Sequence, residues 1–592
     1  MADNPTNFWQ ELKRRRVIRV IPVYAAAAFV LLELADIVSE PLGLPSWTIN
    51  FLLVLLSIGF VVSIILSWVY DITPEGVQKT KPVKKDQKIE KSSTSYNWKI
   101  ATYVSIVIIV GLLFMNIVRE RKHAKGLTGL EKSIAVLPFD NMSIGEEFEH
   151  LGDAFTDEII LELQKIKEFD RVLSRSSTMQ YKKDRPTVPE MAGKLGVNYL
   201  IEGSIQRNDE EVSIRVQVIR AKNEDHVWAD EYNRKWENIF AIQDEIALNV
   251  AHELKAALAP EEIRRIDKQP TDNPEAYNLY LLGRFYWQKR TEEGLRKSVN
   301  YFEKAIEVDP EYALAYAGLA DAYFIQAWYG WTPWIESMTR AKKYALKAIS
   351  MDHNLAEAHT IMGAVLEWYD WNFEEAKKEF LLAIKLSPNS ATAHLYYSEL
   401  LNILRKNDEA RFHMNIALEL DPFWFLNHRM SAFCYYCEGK LEESLNEYHK
   451  LRELNPDDYR SYWRPFNIYI RQGKELKAVE ALQNAFLSDT NTAKYKDYVN
   501  ELYNKSGING LLNFLIELEY DKPVPSQFAL AIWNAMLGKK DETLDLLEKT
   551  LEEKNPSILF INSRPEFDFL RSDPRFQALL KKIGLSEYQT PE

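Results

Sequence analysis

Four acids follow the short apolar run SIAVLPF at 133–139: Asp140, Asp153, Asp157 and Glu158. Oxygen donors grouped in this way can hold a hard cation, and paired carboxylates can divide acid and base roles. The same residue types cap a helix N-terminus and favour its dipole, and both readings stand. The 2 cysteines, Cys434 and Cys437, lie in FCYYC. A redox-active CxxC sits where a strand meets a helix. Here the pair falls inside a repeat helix, which points to packed thiols. Without nearby His or Cys it does not complete a zinc site. His252-Glu253 opens like a metalloprotease motif, but Ala256 stands where the second His belongs. No phosphate-cradling glycine loop is present, and the 10 histidines are scattered. The expectation is a chain with no catalytic residues, no metal and no cofactor, hence not an enzyme.

The acids require a scaffold, and residues 133–258 read as a small α/β domain. Ser133–Phe139 is a buried strand by its apolar run. Phe155, Ile159, Leu163 and Ile166 have helical spacing, with Asp153 and Thr156 as capping candidates. Arg171–Ser174 is a second short strand, and Pro189–Leu195 is a helix stopped by Gly196. Tyr199–Gln206 and Val212–Arg220 flank the turn RNDEE, and His226–Tyr232 follows as a further strand. Ile242, Ile246, Val250 and Leu254 mark a helix leading out of the domain.

From Tyr277 onward a period of about 34 residues sets in. Ser398, Ala432 and Phe466 hold one position; Ala410, Ser444 and Ala478 hold another; Pro422 and Pro456 end their units. This is the tetratricopeptide (TPR) period, two antiparallel helices per unit, with small residues at the crossing and proline where the second helix stops. Single units cannot bury their apolar faces alone, so they stack into a solenoid with a long inner surface. We expect about seven repeats over 274–560 and a C-terminal cap over 561–592.

The N-terminal part has a different character. Residues 1–132 carry 17 Lys and Arg against 11 Asp and Glu, a net of +6, which leaves −19 of the total −13 for the remainder. So acidic a globular part argues against nucleic-acid binding. Apolar stretches at 17–38, 48–70 and 100–118 each approach the roughly 20 residues a membrane span needs. Together they suggest a helical membrane module over 17–118, preceded by a cytoplasmic amphipathic arm, 1–16. Glu33 and Asp36 weaken the first span. Lys13 to Arg16 and Arg19, with Lys79 to Lys99 in the second loop, place those segments in the cytoplasm, while 39–47 has no basic residue. Three spans then carry the rest across. Arg119, Arg121, Lys122 and Lys125 oppose this and are outnumbered.

Several stretches resemble a bacterial family of membrane-anchored tetratricopeptide proteins with a TolB-N-terminal-like (FlgO-like) domain. They are SIAVLPFDNMS, FTDEII, LGVNYLIEGSI, HVWADEYNR and IFAIQDEIA in the α/β region. NFWQELKRRRVIRV, LGLPSW and VYDITPEGVQ match the membrane module of the family, and FDFLRSDPRFQALLKKIGL its usual ending. The resemblance implies a bacterial inner-membrane protein. Some relatives carry a cyclase or winged-helix domain ahead of the membrane module, and the roughly 16 residues there in this sequence match neither.

In such repeats, fixed positions of the first helix face the inner groove. Here they are Tyr277, Tyr280, Arg284 and Trp287 in unit one, Arg429, Phe433 and Tyr436 in unit five, and Arg460, Trp463 and Arg471 in unit six. Aromatic and Arg side chains make good peptide anchors; packing between repeats is the alternative. The aromatic insertion WYGWTPW at 328–334 is a further candidate contact, or a cover for a neighbouring helix. The fold expected is multidomain: membrane module, α/β domain, all-α solenoid. The function expected is a non-enzymatic scaffold or adaptor binding protein or peptide partners and the lipid bilayer, with its soluble part periplasmic. The alternative is a transmembrane regulator that relays binding to a separate cytoplasmic effector.

Overall fold

The computed structural model describes residues 131–589 except 146, 147, 209, 457 and 459, together with 24, 54–57, 59–60, 70–73 and 76–79. The chain divides into two units, Met1–Gly126 and Leu127–Glu592. In the first unit β1 (Tyr70–Thr73) and β2 (Gly76–Lys79) form an antiparallel hairpin. The three apolar stretches fall almost wholly outside the described residues. Among the described residues no helix is long and apolar enough to cross a membrane.

The second unit begins with a six-stranded mixed sheet. Its strands are β3 (Ser133–Val136), β4 (Asp140–Asn141), β5 (Arg171–Val172), β6 (Tyr199–Asn208), β7 (Glu211–Arg220) and β8 (Asp225–Lys235). The order is β5-β3-β6-β7-β8, with β3 parallel to both neighbours, β6 to β8 antiparallel, and β4 added beside β6. Alternation decides which face is covered. Ile134 and Val136 join the core under helices α1 (Leu151–Gln164) and α3 (Ile239–Glu253), whereas Ala135 and Leu137 face α2 (Val188–Leu195). Helix α2 opens on a Thr187–Glu190 capping box and closes on Gly196 at φ 66°, a left-handed position that suits glycine. Helix α1 begins at Leu151, so Asp153 and Thr156 lie inside it rather than at its cap. The Thr156 hydroxyl donates to Gly152 O at 2.7 Å and accepts from Phe139 N–H at 2.9 Å, tying α1 to the strand end.

After the short helix α4 (Pro260–Ile266), six helix pairs follow in close succession, from Pro274–Gln288 with Glu292–Val308 to Arg460–Arg471 with Glu475–Leu487. A helix Lys496–Tyr520, broken at Gly507 (φ 61°), separates them from a seventh pair, Gln527–Met536 and Lys540–Glu552. The repeat signature has a steric basis. A Cβ on Gly283 would stand 2.5 Å from the Phe302 ring, and one on Gly363 2.7 Å from the Phe380 ring. Two of the serines that enter the pattern are satisfied across the helix crossing: Ser398 Oγ donates to Ala410 O, and Ser444 Oγ to Ala432 O, both at 2.7 Å. The solenoid is therefore a stack of tetratricopeptide helix pairs.

The C-terminal segment does more than close the last pair. It comprises the turns Pro556–Ile561 and Pro565–Leu570 and helix Pro574–Lys582. Arg575 holds it to the final pair through Glu548 and Asp545. From there it folds back onto earlier repeats, reaching the first helix of repeat four and the second helix of repeat three. The Asn562 amide donates to Ile403 O at 2.9 Å, and Tyr588 Oη to Glu374 at 2.6 Å.

Candidate functional site

The solenoid inner face is built by the first helix of each pair. Its later part is filled by the chain itself. The Phe560 ring sits 5.4 Å from Trp368 and 5.1 Å from Phe433, bridging repeats three and five. Arg564 lies over the rings of Phe433 (5.1 Å) and Phe528 (5.8 Å) and pairs at 3.0 Å with Glu566. Both partners of that ion pair are almost fully buried. Apolar side chains seated between aromatic rings, with a side-chain amide donating to a backbone carbonyl, are the elements by which a groove holds a peptide.

The residues expected to line an open groove are consequently distributed over three environments. Tyr277 is fully buried at the joint with the α/β domain: its ring is 4.3 Å from Phe240, and its hydroxyl accepts from Gln243 Nε2 at 2.6 Å. Tyr280 packs on Phe302 and Tyr312. Arg284 pairs with Asp157 at 2.8 Å, and Trp287 lies under the guanidinium groups of Arg284 and Arg290. The open-groove expectation is corrected for Tyr277 and Tyr280, which are buried, and for Arg284, which is spent on Asp157 of the α/β domain; Trp287 stays partly exposed beneath its two guanidinium groups. Phe433 and Tyr436 are buried, Phe433 against Phe560. Arg471 lies over the Tyr436 ring at 4.8 Å and donates to Tyr436 O at 2.9 Å. Trp463 packs edge-on against Phe486 within its own unit, and half-exposed Arg460 stands 4.0 Å from Asp458.

Arg429 reaches the remaining open part. A recess of about 40 Å³ between repeats two, four and five is lined by Phe324, Trp328, Tyr396, Trp424, Arg429 and Met430, with Arg290 at its rim. Tyr396 and Trp424 carried no flag in the sequence beyond their aromaticity. The 328–334 insertion mostly covers its neighbours: Trp328 packs edge-on against Trp368 at 4.7 Å, and Tyr329 stacks on Trp331 at 4.6 Å.

The chemistry-bearing candidates resolve in the same way. Asp140 pairs with Arg185 at 2.8 Å, Asp153 with Lys182 at 2.7 Å, and Asp157 with Arg284. Three of the four acids are thus committed to cations, which corrects the cation-site and carboxylate-pair reading. Among the described residues no group of His, Cys, Asp and Glu could hold a metal ion. Burial pushes both cysteine thiols up, that of Cys437 to about 12, so neither is a thiolate at neutral pH. Cys434 and Cys437 are both free.

A polar cavity of about 920 Å³ lies where α1, α3 and α4 of the α/β side meet the inter-repeat loops. Sequence reading missed it, because its walls come from segments far apart in the chain.

Residues 130–249 match the family model of the second domain of HilA/YgeH-like transcriptional regulators, and 6–139 match that of the Transmembrane Fragile-X-F protein. The chain is 34% identical over 239 residues to putative adenylate cyclase 3 of Rhizobium meliloti, covering 40% of each. It is 26% identical over 227 residues to the tetratricopeptide repeat-containing protein trd-1 of Caenorhabditis elegans, 37% of this chain and 26% of that one. To the transcriptional regulator HilA of Salmonella typhimurium it is 28% identical over 144 residues, 24% of this chain and 26% of the regulator. The chain spans less than half the length of each of these relatives. Among solved structures it is similar to YrrB, a TPR protein with an unusual peptide-binding site (23% identity, 33% of this chain and 97% of that one, TM-score 0.26). It is also similar to PilW, a type IV pilus biogenesis factor (16% identity, 38% and 99%, TM-score 0.32).

Proposed function

We propose that this chain is a non-enzymatic scaffold, anchored in a bacterial inner membrane through residues 17–118, that binds protein partners on the inner face of its solenoid. The observation that carries this reading is Phe560 seated between Trp368 and Phe433. The inner face already holds a segment of polypeptide, folded in short 3-10 turns, so its chemistry is suited to peptides. The part left open, around Tyr396 and Trp424, is mostly apolar and carries Arg290 and Arg429 against one acid, the buried Glu399. Its favoured occupant is an extended partner segment with one apolar side chain and neighbouring acids. Tyr396→Ala and Arg429→Glu should each abolish co-purification of the partner in protein shown by circular dichroism to be folded. Retention of the partner by both variants would overturn the reading.

The Lys and Arg distribution at the N-terminus supports a periplasmic side for the soluble unit. Alkaline phosphatase and green fluorescent protein fused in turn to the C-terminus test this: an active phosphatase with a dark fluorophore is expected, and the reverse would place the solenoid in the cytoplasm. A second reading, a regulator relaying binding across the membrane, is favoured by the match of 130–249 to a domain of transcriptional regulators. Deleting Lys79–Lys91 separates the two, since a pure anchor tolerates that loss.

A further inference from the structure

The 920 Å³ cavity between the α/β domain and the solenoid is unbalanced in charge. Nine carboxylates line it against four Lys or Arg side chains. Two of those cations are spent locally: Lys165 pairs with Glu162 at 2.6 Å and Lys268 with Asp352 at 2.7 Å. Arg265 donates to the backbone oxygen of Leu386 at 2.9 Å. At the inner end stands Glu158, 7% exposed, whose Oε1 has no hydrogen-bond partner. Oε2 of Glu162, one turn along the same helix face, is also unpartnered. Buried carboxylate oxygens are normally satisfied, and an orphan pair on a cavity wall is a place where a ligand donates.

The acids are spread along the walls rather than converging, and among the described residues none group as metal ligands. That distribution fits an extended cation with several separated donors. Tyr280 and Phe240 on the same wall offer aromatic faces to an ammonium group or an aliphatic linker. We propose that this cavity binds a linear organic polyamine, with one ammonium held by Glu158 and Glu162 and another by Asp244.

Burial, reinforced by Asp157, raises Glu158 to about 8, and burial with Glu162 raises Asp244 to about 7. Glu158 is faced by Asp157, Glu162, Lys165 and Arg284. At neutral pH it is therefore protonated in the empty protein, and an arriving ammonium releases that proton. The carboxyl O–H bond breaks, the proton passes to buffer, and the carboxylate pairs with the cation.

Spermidine titrated calorimetrically into the full chain tests this in two buffers of different ionisation enthalpy. Saturable binding with proton release is expected. Glu158→Gln, which keeps shape and removes the charge, should weaken it by roughly tenfold or more and reduce the proton release to the share of Asp244. Asp244→Asn, on the separate helix α3, should weaken it without abolishing the release. Absence of binding at millimolar spermidine, or equal affinity in wild type and both variants, would overturn the proposal.

Discussion

The guanidinium of Arg284 meets the carboxylate of Asp157 at 2.8 Å, both nearly buried, across 127 residues of chain. One comes from the first solenoid helix and the other from α1. This contact clamps the α/β domain onto repeat one. Arg284→Met alone strands a buried carboxylate and should cost about 3–5 kcal/mol; pairing it with Asp157→Leu should recover much of that loss. Denaturant unfolding of the four proteins in a double-mutant cycle measures it, and additive losses would contradict a direct pair.

Two glycine substitutions should move stability in opposite directions. Gly283→Ala drives a methyl to 2.5 Å from the Phe302 ring and should cost about 1–3 kcal/mol. Gly193 lies inside α2 with nothing within 4 Å of an added Cβ, so Gly193→Ala should gain up to about 1 kcal/mol. Thermal unfolding of the two variants beside wild type checks the contrast.

The buried acids set a pH dependence. Burial raises Glu158 from 4.5 to about 8, so the folded state binds this proton more tightly than the unfolded state does. Its stabilising share is full below about pH 4.5 and is lost as pH rises towards 8, at a slope of at most about 1.4 kcal/mol per unit. Glu158→Gln should flatten the stability profile in that window. An unchanged slope would mean Glu158 is already ionised at neutral pH.

The repeats and most of the sheet were legible in the sequence because they are written in local period: 34-residue spacing for the helix pairs, and alternation in Val212, Ile214, Val216 and Val218. The groove was misjudged where long-range contacts decide. Nothing near Tyr277 announces that Phe240 covers it, and nothing near Phe433 announces Phe560. Pairings over such separations leave no periodic trace. The acids after the first strand were visible as a cluster, but their cationic partners Arg185, Lys182 and Arg284 come from three other segments.

The bound C-terminal segment should be displaceable. Phe560→Ala removes the ring between Trp368 and Phe433. Amide hydrogen exchange over 556–564 and over the facing 430–436 should accelerate together, while 313–328 stays protected. Uniform protection in the variant would show that the segment does not depend on this anchor.

The most direct test of the inner face as a partner site is photo-crosslinking in cells from position 396, in the open recess. The account predicts one discrete protein adduct that disappears when Arg429 is changed to Glu. No protein adduct from position 396, with adducts instead from an outer position such as Phe412, would contradict it.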